Sequence, residues 1–144
     1  MNIDPKKLQQ YVDDRYISVQ KHPDGDLFIY NYTPKAQFDR VWTEETMSCR
    51  GLITDGKNNI IARPFKKFFN VGEIKNLPAE DFEVFDKLDG SLGILYIHPK
   101  YKMPYLATRG SFGSDQAVVG SEILARKYDS IKWDKNFTYL FEIL

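Results

Sequence analysis

The amino-acid sequence predicts an α+β fold: antiparallel β-sheets with flanking helices. Two observations carry this. Runs rich in β-branched and aromatic residues recur along the chain and are separated by short polar turns, the pattern of hairpins. Capped helical periodicity is concentrated in two places, near residues 5–12 and 115–128. With 144 residues, 42% hydrophobic and 15% aromatic, the chain can bury a sizeable core, and its length predicts one domain over residues 1–144.

Taken in order, Asp4 can cap a first helix, Pro5 suits its first position, and Leu8, Tyr11 and Val12 share a face. Residues 16–20 alternate as a strand does, 22–26 form a turn cluster, and 27–32 read as the returning strand. Residues 38–42 suggest a further strand. A second hairpin is expected from 50–54 and 60–63 about the turn-forming residues 55–59. Residues 82–84 and 92–97 read as two more strands, with a turn at 99–104 and a strand over 105–108 leading to Arg109. Ser114 and Asp115 offer caps for a helix whose apolar stripe, Val118, Val119, Ile123, Leu124 and Tyr128, should cover the sheet. The last strand, 138–144, is apolar except for Glu142, a carboxylate that is costly to bury unless paired.

Lys plus Arg equal Asp plus Glu at 20 each, so net charge gives no global attraction to nucleic acid, and any such contact needs a local basic patch. Cys49 is the single cysteine, which excludes an internal disulfide, suits a reducing compartment and reads as structural. His22 lies in a turn with no second histidine close in sequence, and His98 precedes Pro99, so neither is assigned to a metal. No apolar run approaches the roughly 20 residues that span a bilayer, and no secretory signal opens the chain. The expected setting is cytoplasmic, without a membrane.

Residues 85–91, Phe-Asp-Lys-Leu-Asp-Gly-Ser, concentrate the chemistry. At a strand-turn-strand junction, Lys87 and Asp89 would face one side while Leu88 faces the other, and Gly90 would let a bulky ligand approach the backbone. A nucleophilic lysine starts from a pKa of about 10.4, with roughly one molecule in a thousand unprotonated near neutral pH. Apolar surroundings, nearby cations or a bound metal favour the free amine, and the strand context offers the first of these. The plainer alternative is an exposed strand lysine pairing with Asp89. Among the aromatic residues of 65–69, Phe65 and Phe68 read as core. Lys67, wedged between them, is placed where lysine rarely packs without an anionic partner.

Five blocks give these residues company. The run 87–91 resembles the nucleophile motif of the covalent nucleotidyltransferases, which comprise ATP-dependent DNA and RNA ligases and capping enzymes. Residues 49–53 and 63–70 resemble the phage-type RNA ligase branch in particular, and 108–111 and 139–143 resemble that branch's next two blocks. The resemblance implies a partial nucleotidyltransferase adenylation domain with Lys87 as the catalytic nucleophile. It places Arg50, Lys67, Phe69, Asp89, Gly90, Arg109 and Glu142 at the nucleotide: Lys67 on phosphates, Arg109 beside the adenylate, Glu142 near the ribose. ATP and Mg²⁺ are the implied cofactors, and RNA with 5′-phosphate and 3′-hydroxyl ends the implied partner. As alternatives, Arg109 lies in an ordinary exposed loop and Glu142 at a partly exposed strand end.

The family continues past this last strand to a second glutamate block and a lysine block, whereas the sequence stops at Leu144. The expectation is the N-terminal portion of an adenylation domain, needing a missing C-terminal segment or a partner chain to seal RNA. Two other readings stand beside it: a non-catalytic nucleotide- or RNA-binding remnant, and a DNA ligase or capping-type enzyme.

Overall fold

The computed structural model describes residues 3–144. Its first helix, α1 (Pro5–Asp13), begins as its sequence dictates, with the Asp4 carboxylate accepting the Lys6 N–H at 2.9 Å and proline at the first turn. The strands are β1 (Ile17–Lys21), β2 (Leu27–Tyr32), β3 (Arg50–Asp55), β4 (Ile60–Ala62), β5 (Ser91–Ile97), β6 (Pro104–Thr108) and β7 (Leu140–Ile143). Three further helices are α2 (Pro34–Asp39), α3 (Glu44–Ser48) and α4 (Asp115–Lys127), and Val71–Glu73 forms a single 3₁₀ turn. All strand pairings are antiparallel, in one sheet of order β1-β2-β3-β4 and another of order β6-β5-β7.

Alternation along the strands sorts the core into layers. Leu27, Ile29, Ile53, Ala62, Ile94, Tyr96 and Ala107 form one buried cluster drawn from both sheets, so the sheets pack against each other. The intervening positions face the opposite side of each sheet, several of them towards the flanking helices. Leu52 joins Leu8, Ile17 and Cys49 under α1, while Leu95 and Leu106 join Leu124 under α4. Each fully buried Leu or Ile contributes roughly 1.5–3 kcal/mol of transfer free energy. No helix among the described residues is long and apolar enough to cross a membrane.

Several expectations need correction. Residues 38–42 are not a strand; Thr33 accepts the Ala36 N–H, Pro34 takes the first helical position, and α2 ends at Arg40 with φ 54°. The capping signal there outweighs the β-prone composition. The inward face of α4 is Ala117, Gly120 and Leu124, with Val118 and Val119 exposed. Small residues win this face because the helix lies close to the sheet: a side chain at Gly120 would come within 3.0 Å of Leu106 and 3.1 Å of Ile143. The largest departure concerns 82–84. No strand forms between Glu73 and Ser91, and Phe82 and Val84 are 84% and 83% exposed. The hairpin expected about the Lys87 turn would pair this run with β5, and both edges of β5 are already taken by β6 and β7.

Candidate functional site

Where the two sheets meet at one end, a glycine sets the geometry. Tyr30 pairs with Leu52 but Asn31 pairs with Arg50, leaving Gly51 as the extra residue of a β-bulge. Its φ of 90° is unfavourable for any residue with a side chain, and a Cβ there would meet Ile94 at 2.5 Å. The Arg109 backbone passes 3.5 Å from the same point. Gly51 thus lets the sheets close together and brings Arg50 and Arg109 towards one another.

Asn31 fastens this junction. Its side-chain amide donates to the Arg109 carbonyl at 2.7 Å, and Arg109 Nε donates back to Asn31 Oδ1 at 3.2 Å. The Arg109 guanidinium lies over the Tyr32 ring, 4.5 Å from its centroid. Among the described residues its terminal NH₂ groups have no hydrogen-bond partner. Arg50 stacks on Phe68 at 5.1 Å.

Lys67 comes to the same region on the segment after β4, held by its own N–H, which donates to the Met47 carbonyl at 2.8 Å. The sequence suggested an anionic partner; instead, aromatic rings surround the ammonium. Nζ lies 4.7 Å from the Phe69 centroid, 4.8 Å from Trp42 and 5.7 Å from Tyr32. Among the described residues neither Arg50, Lys67 nor Arg109 has a carboxylate partner; the ion pairs are Lys66–Glu44 and Lys100–Asp24. On a chain of zero net charge, this junction is a local concentration of unneutralised cations.

The Lys87 segment is different. Residues 81–90 are all exposed, so the apolar setting expected for Lys87 is absent and the strand-turn-strand junction is replaced by an extended irregular run into β5. Among the described residues Lys87 and Asp89 make no hydrogen bond or ion pair. Gly90 is better placed: a side chain there would strike the Ile143 carbonyl and approach Glu142 Oε1 at 3.1 Å. Glu142 itself is exposed and bears no burial cost. The β5 register sets Gly93 opposite Thr108 on one side and Phe141 on the other. Gly90, Arg109 and Glu142 therefore gather at the start of β5, the end at which the Lys87 segment enters.

Two aromatic residues depart from expectation in the other direction. Phe65 and Phe68 are not core but 68% and 65% exposed. Asn31, Tyr32 and Trp42 were missed by sequence reasoning; the one available signal was an asparagine within a β-run, a residue strands disfavour.

Cys49 is fully buried, and desolvation, with Glu45 nearby, pushes its thiol up to about 12, in keeping with a structural role. The two histidines, distant in sequence, are in fact neighbours, with ring centroids 4.9 Å apart. Their ring nitrogens are nevertheless engaged. His22 Nδ1 accepts from the Asp24 N–H and its Nε2 lies 3.1 Å from the Tyr96 hydroxyl; His98 Nδ1 accepts from the Lys100 N–H and its Nε2 lies 2.5 Å from the Asp24 carbonyl. Among the described residues no group of three or more His, Cys, Asp or Glu is placed to hold a metal.

The sequence profile of the RNA ligase family matches residues 48–144. That interval holds β3 through β7, including Arg50, Lys67, Lys87, Arg109 and Glu142. The chain belongs to the RNA ligase family. It is 28% identical over 152 aligned positions to a Thermovibrio ammonificans protein provisionally named an RNA ligase, a match covering 96% of this chain and 38% of that protein. It is 26% identical over 132 positions to an RNA ligase of Rhodothermus phage RM378, covering 73% of this chain and 29% of the relative. The chain thus spans less than two fifths of the length of these curated relatives.

Proposed function

We propose that this chain is an adenylation module of a phage-type, ATP-dependent RNA ligase, with Lys87 as the nucleophile. It would occupy residues 1–144 as the N-terminal portion of a nucleotidyltransferase domain, acting in the cytoplasm. The supporting observation is the convergence of Arg50, Lys67 and Arg109, none of them neutralised by a carboxylate, on the junction near which Gly90 delivers the Lys87 segment.

The chemistry follows from charge. The free Lys87 amine attacks the α-phosphorus of ATP; a P–N bond forms, the P–O bond to pyrophosphate breaks, and the amine proton passes to solvent. Lys67 and Arg50 hold the departing phosphates, and Arg109, with its NH₂ groups available, binds the adenylate. Gly90 leaves space for the nucleotide against the backbone, Asp89 and Glu142 offer oxygens on the ribose side, and Phe69 contributes an apolar wall. Mg²⁺ is compatible with this donor set, since it commonly binds through substrate phosphates with one or two carboxylates, here Asp89 or Glu142; when bound it supplies charge neutralisation. The AMP would then pass to an RNA 5′-phosphate, and an RNA 3′-hydroxyl would displace it, steps for which a further C-terminal segment or a partner chain is proposed.

The test is incubation with α-labelled ATP and Mg²⁺, followed by denaturing electrophoresis and intact mass. A covalent AMP adduct that disappears in Lys87→Ala is the expected result. Labelling retained in that variant overturns the assignment of Lys87, and saturable ATP binding without any adduct reduces the module to nucleotide binding.

A further inference from the structure

A carboxylate beside Lys67 would fix the ammonium but cancel its charge and compete with any incoming anion. Aromatic faces do the first without the second. Tyr32, Trp42 and Phe69 surround Lys67 Nζ at 5.7, 4.8 and 4.7 Å, and they brace one another edge to face, with centroids 5.1 Å apart for Tyr32–Trp42 and 6.0 Å for Trp42–Phe69. Tyr32 also carries Arg109 at 4.5 Å, so one ring holds a cation from each of two otherwise separate parts of the chain.

The frame behind these rings is rigid. The Thr46 hydroxyl, fully buried, donates to the Val41 carbonyl at 2.7 Å and accepts the Thr43 N–H at 2.8 Å, which pins the backbone on both sides of Trp42. Lys67 is tied to the same helix α3 through Met47, and the Tyr32 N–H donates to the Cys49 carbonyl at 2.7 Å just beyond it. The cage opens onto a cleft of about 540 Å³ that Arg40, Trp42, Lys67 and Phe69 line together with Gln37 and Glu73. A cleft of this size admits a phosphate chain, and its two cations, Lys67 and Arg40, outnumber its one acid.

We infer that Tyr32, Trp42 and Phe69 are positioning residues, holding Lys67 uncompensated at this cleft for the polyphosphate of the nucleotide. The inference rests on the proposed nucleotide site but not on covalent transfer to Lys87. The rings touch no reacting atom; they act through Lys67, and Trp42, with the strongest π-face of the three, contributes most.

Inorganic tripolyphosphate is the probe, since it carries the phosphates without base or ribose, and calorimetry on the whole chain reads its affinity. Trp42→Leu is expected to weaken binding about tenfold, Trp42→Phe, which keeps a ring, by no more than about threefold, and Phe69→Leu by an intermediate factor. In a Lys67→Met background, Trp42→Leu should have no further effect, because the group it positions is gone. Should Trp42→Leu fail to fold, Phe69→Leu alone and combined with Lys67→Met carries the same comparison from outside the frame.

Unchanged affinity in the folded ring variants, a loss that persists undiminished with Lys67→Met, or a wild-type chain that shows no saturable tripolyphosphate binding would each overturn the inference. The adduct assay is read separately. A Lys87 adduct with unaltered ring variants leaves the adenylation reading and removes this one; weakened tripolyphosphate binding without an adduct does the reverse.

Discussion

The junction of Asn31, Tyr32, Arg50, Lys67 and Arg109 and the segment from 74 to 90 are two halves of one proposed site, built by different means. In the first, every cation is fixed, by a reciprocal amide pair, by aromatic faces or by a glycine bulge. In the second, the backbone has no sheet partner, and Phe82, Val84, Phe85 and Leu88 face solvent around Lys87. Binding groups are pre-set; the nucleophile is not enclosed. Affinity for phosphates should therefore depend on the first region and covalent transfer on the second, and variants can separate the two.

The largest expected effect is on the nucleophile. Lys87→Ala should abolish AMP labelling while leaving tripolyphosphate affinity within about twofold, as a side chain with no fixed partners adds little to binding. In the cradle, Lys67→Met or Arg109→Met should each weaken ATP binding by roughly 10- to 100-fold, corresponding to about 1.5–3 kcal/mol for a charge-assisted contact, measured by calorimetry. If Lys87→Ala lowers phosphate affinity as much as Lys67→Met does, the division between the two halves is wrong.

Stability should divide along the same line. Gly51→Ala strains a backbone at φ 90° and pushes a methyl into Ile94, for an expected loss of about 1–3 kcal/mol in chemical denaturation, with weaker ATP binding because Arg50 and Arg109 are forced apart. Phe82→Ser, in the exposed segment, should change stability by no more than about 0.5 kcal/mol.

A smaller, pH-dependent contribution comes from the hairpin tip far along the sheets. Burial, followed by the adjacent His98, lowers the His22 pKa, with Asp24 opposing; Tyr96 and Phe112 are its other neighbours. The folded state thus favours neutral His22. Its contribution is fully present above the ordinary histidine value of about 6.5 and is lost as pH falls through the lower folded value. The thermal midpoint should decline between pH 7 and 5, and His22→Gln should flatten that decline. Asp24 and Asp55, whose carboxyls are held below the usual range by hydrogen bonds led by Tyr101 and Asn59 respectively, lose their contribution only at more acidic pH.

Much of the fold was legible in the sequence because its determinants are local. The Asp4-Pro5 start, both early hairpins and the Ser114 cap of α4 all follow from turn and capping residues acting on their immediate neighbours. The failures have a common cause. Residues 82–84 have strand composition, yet a strand exists only if another edge accepts it, and composition says nothing about which edges are free. Val118 and Val119 look like an inward stripe, but the closeness of helix and sheet selects Ala117 and Gly120 instead.

The site divides in the same way. By itself the sequence determined the family, through five ordered blocks, and named the cations Arg50, Lys67, Lys87 and Arg109, since charge and motif order are properties of the chain. Only the tertiary structure decided that Lys67 has aromatic rings rather than an acid around it, that Asn31 clasps Arg109 across 78 residues, and that His22 meets His98. Those contacts join positions far apart in sequence, and their existence depends on sheet register and on a single glycine bulge, which no local pattern encodes.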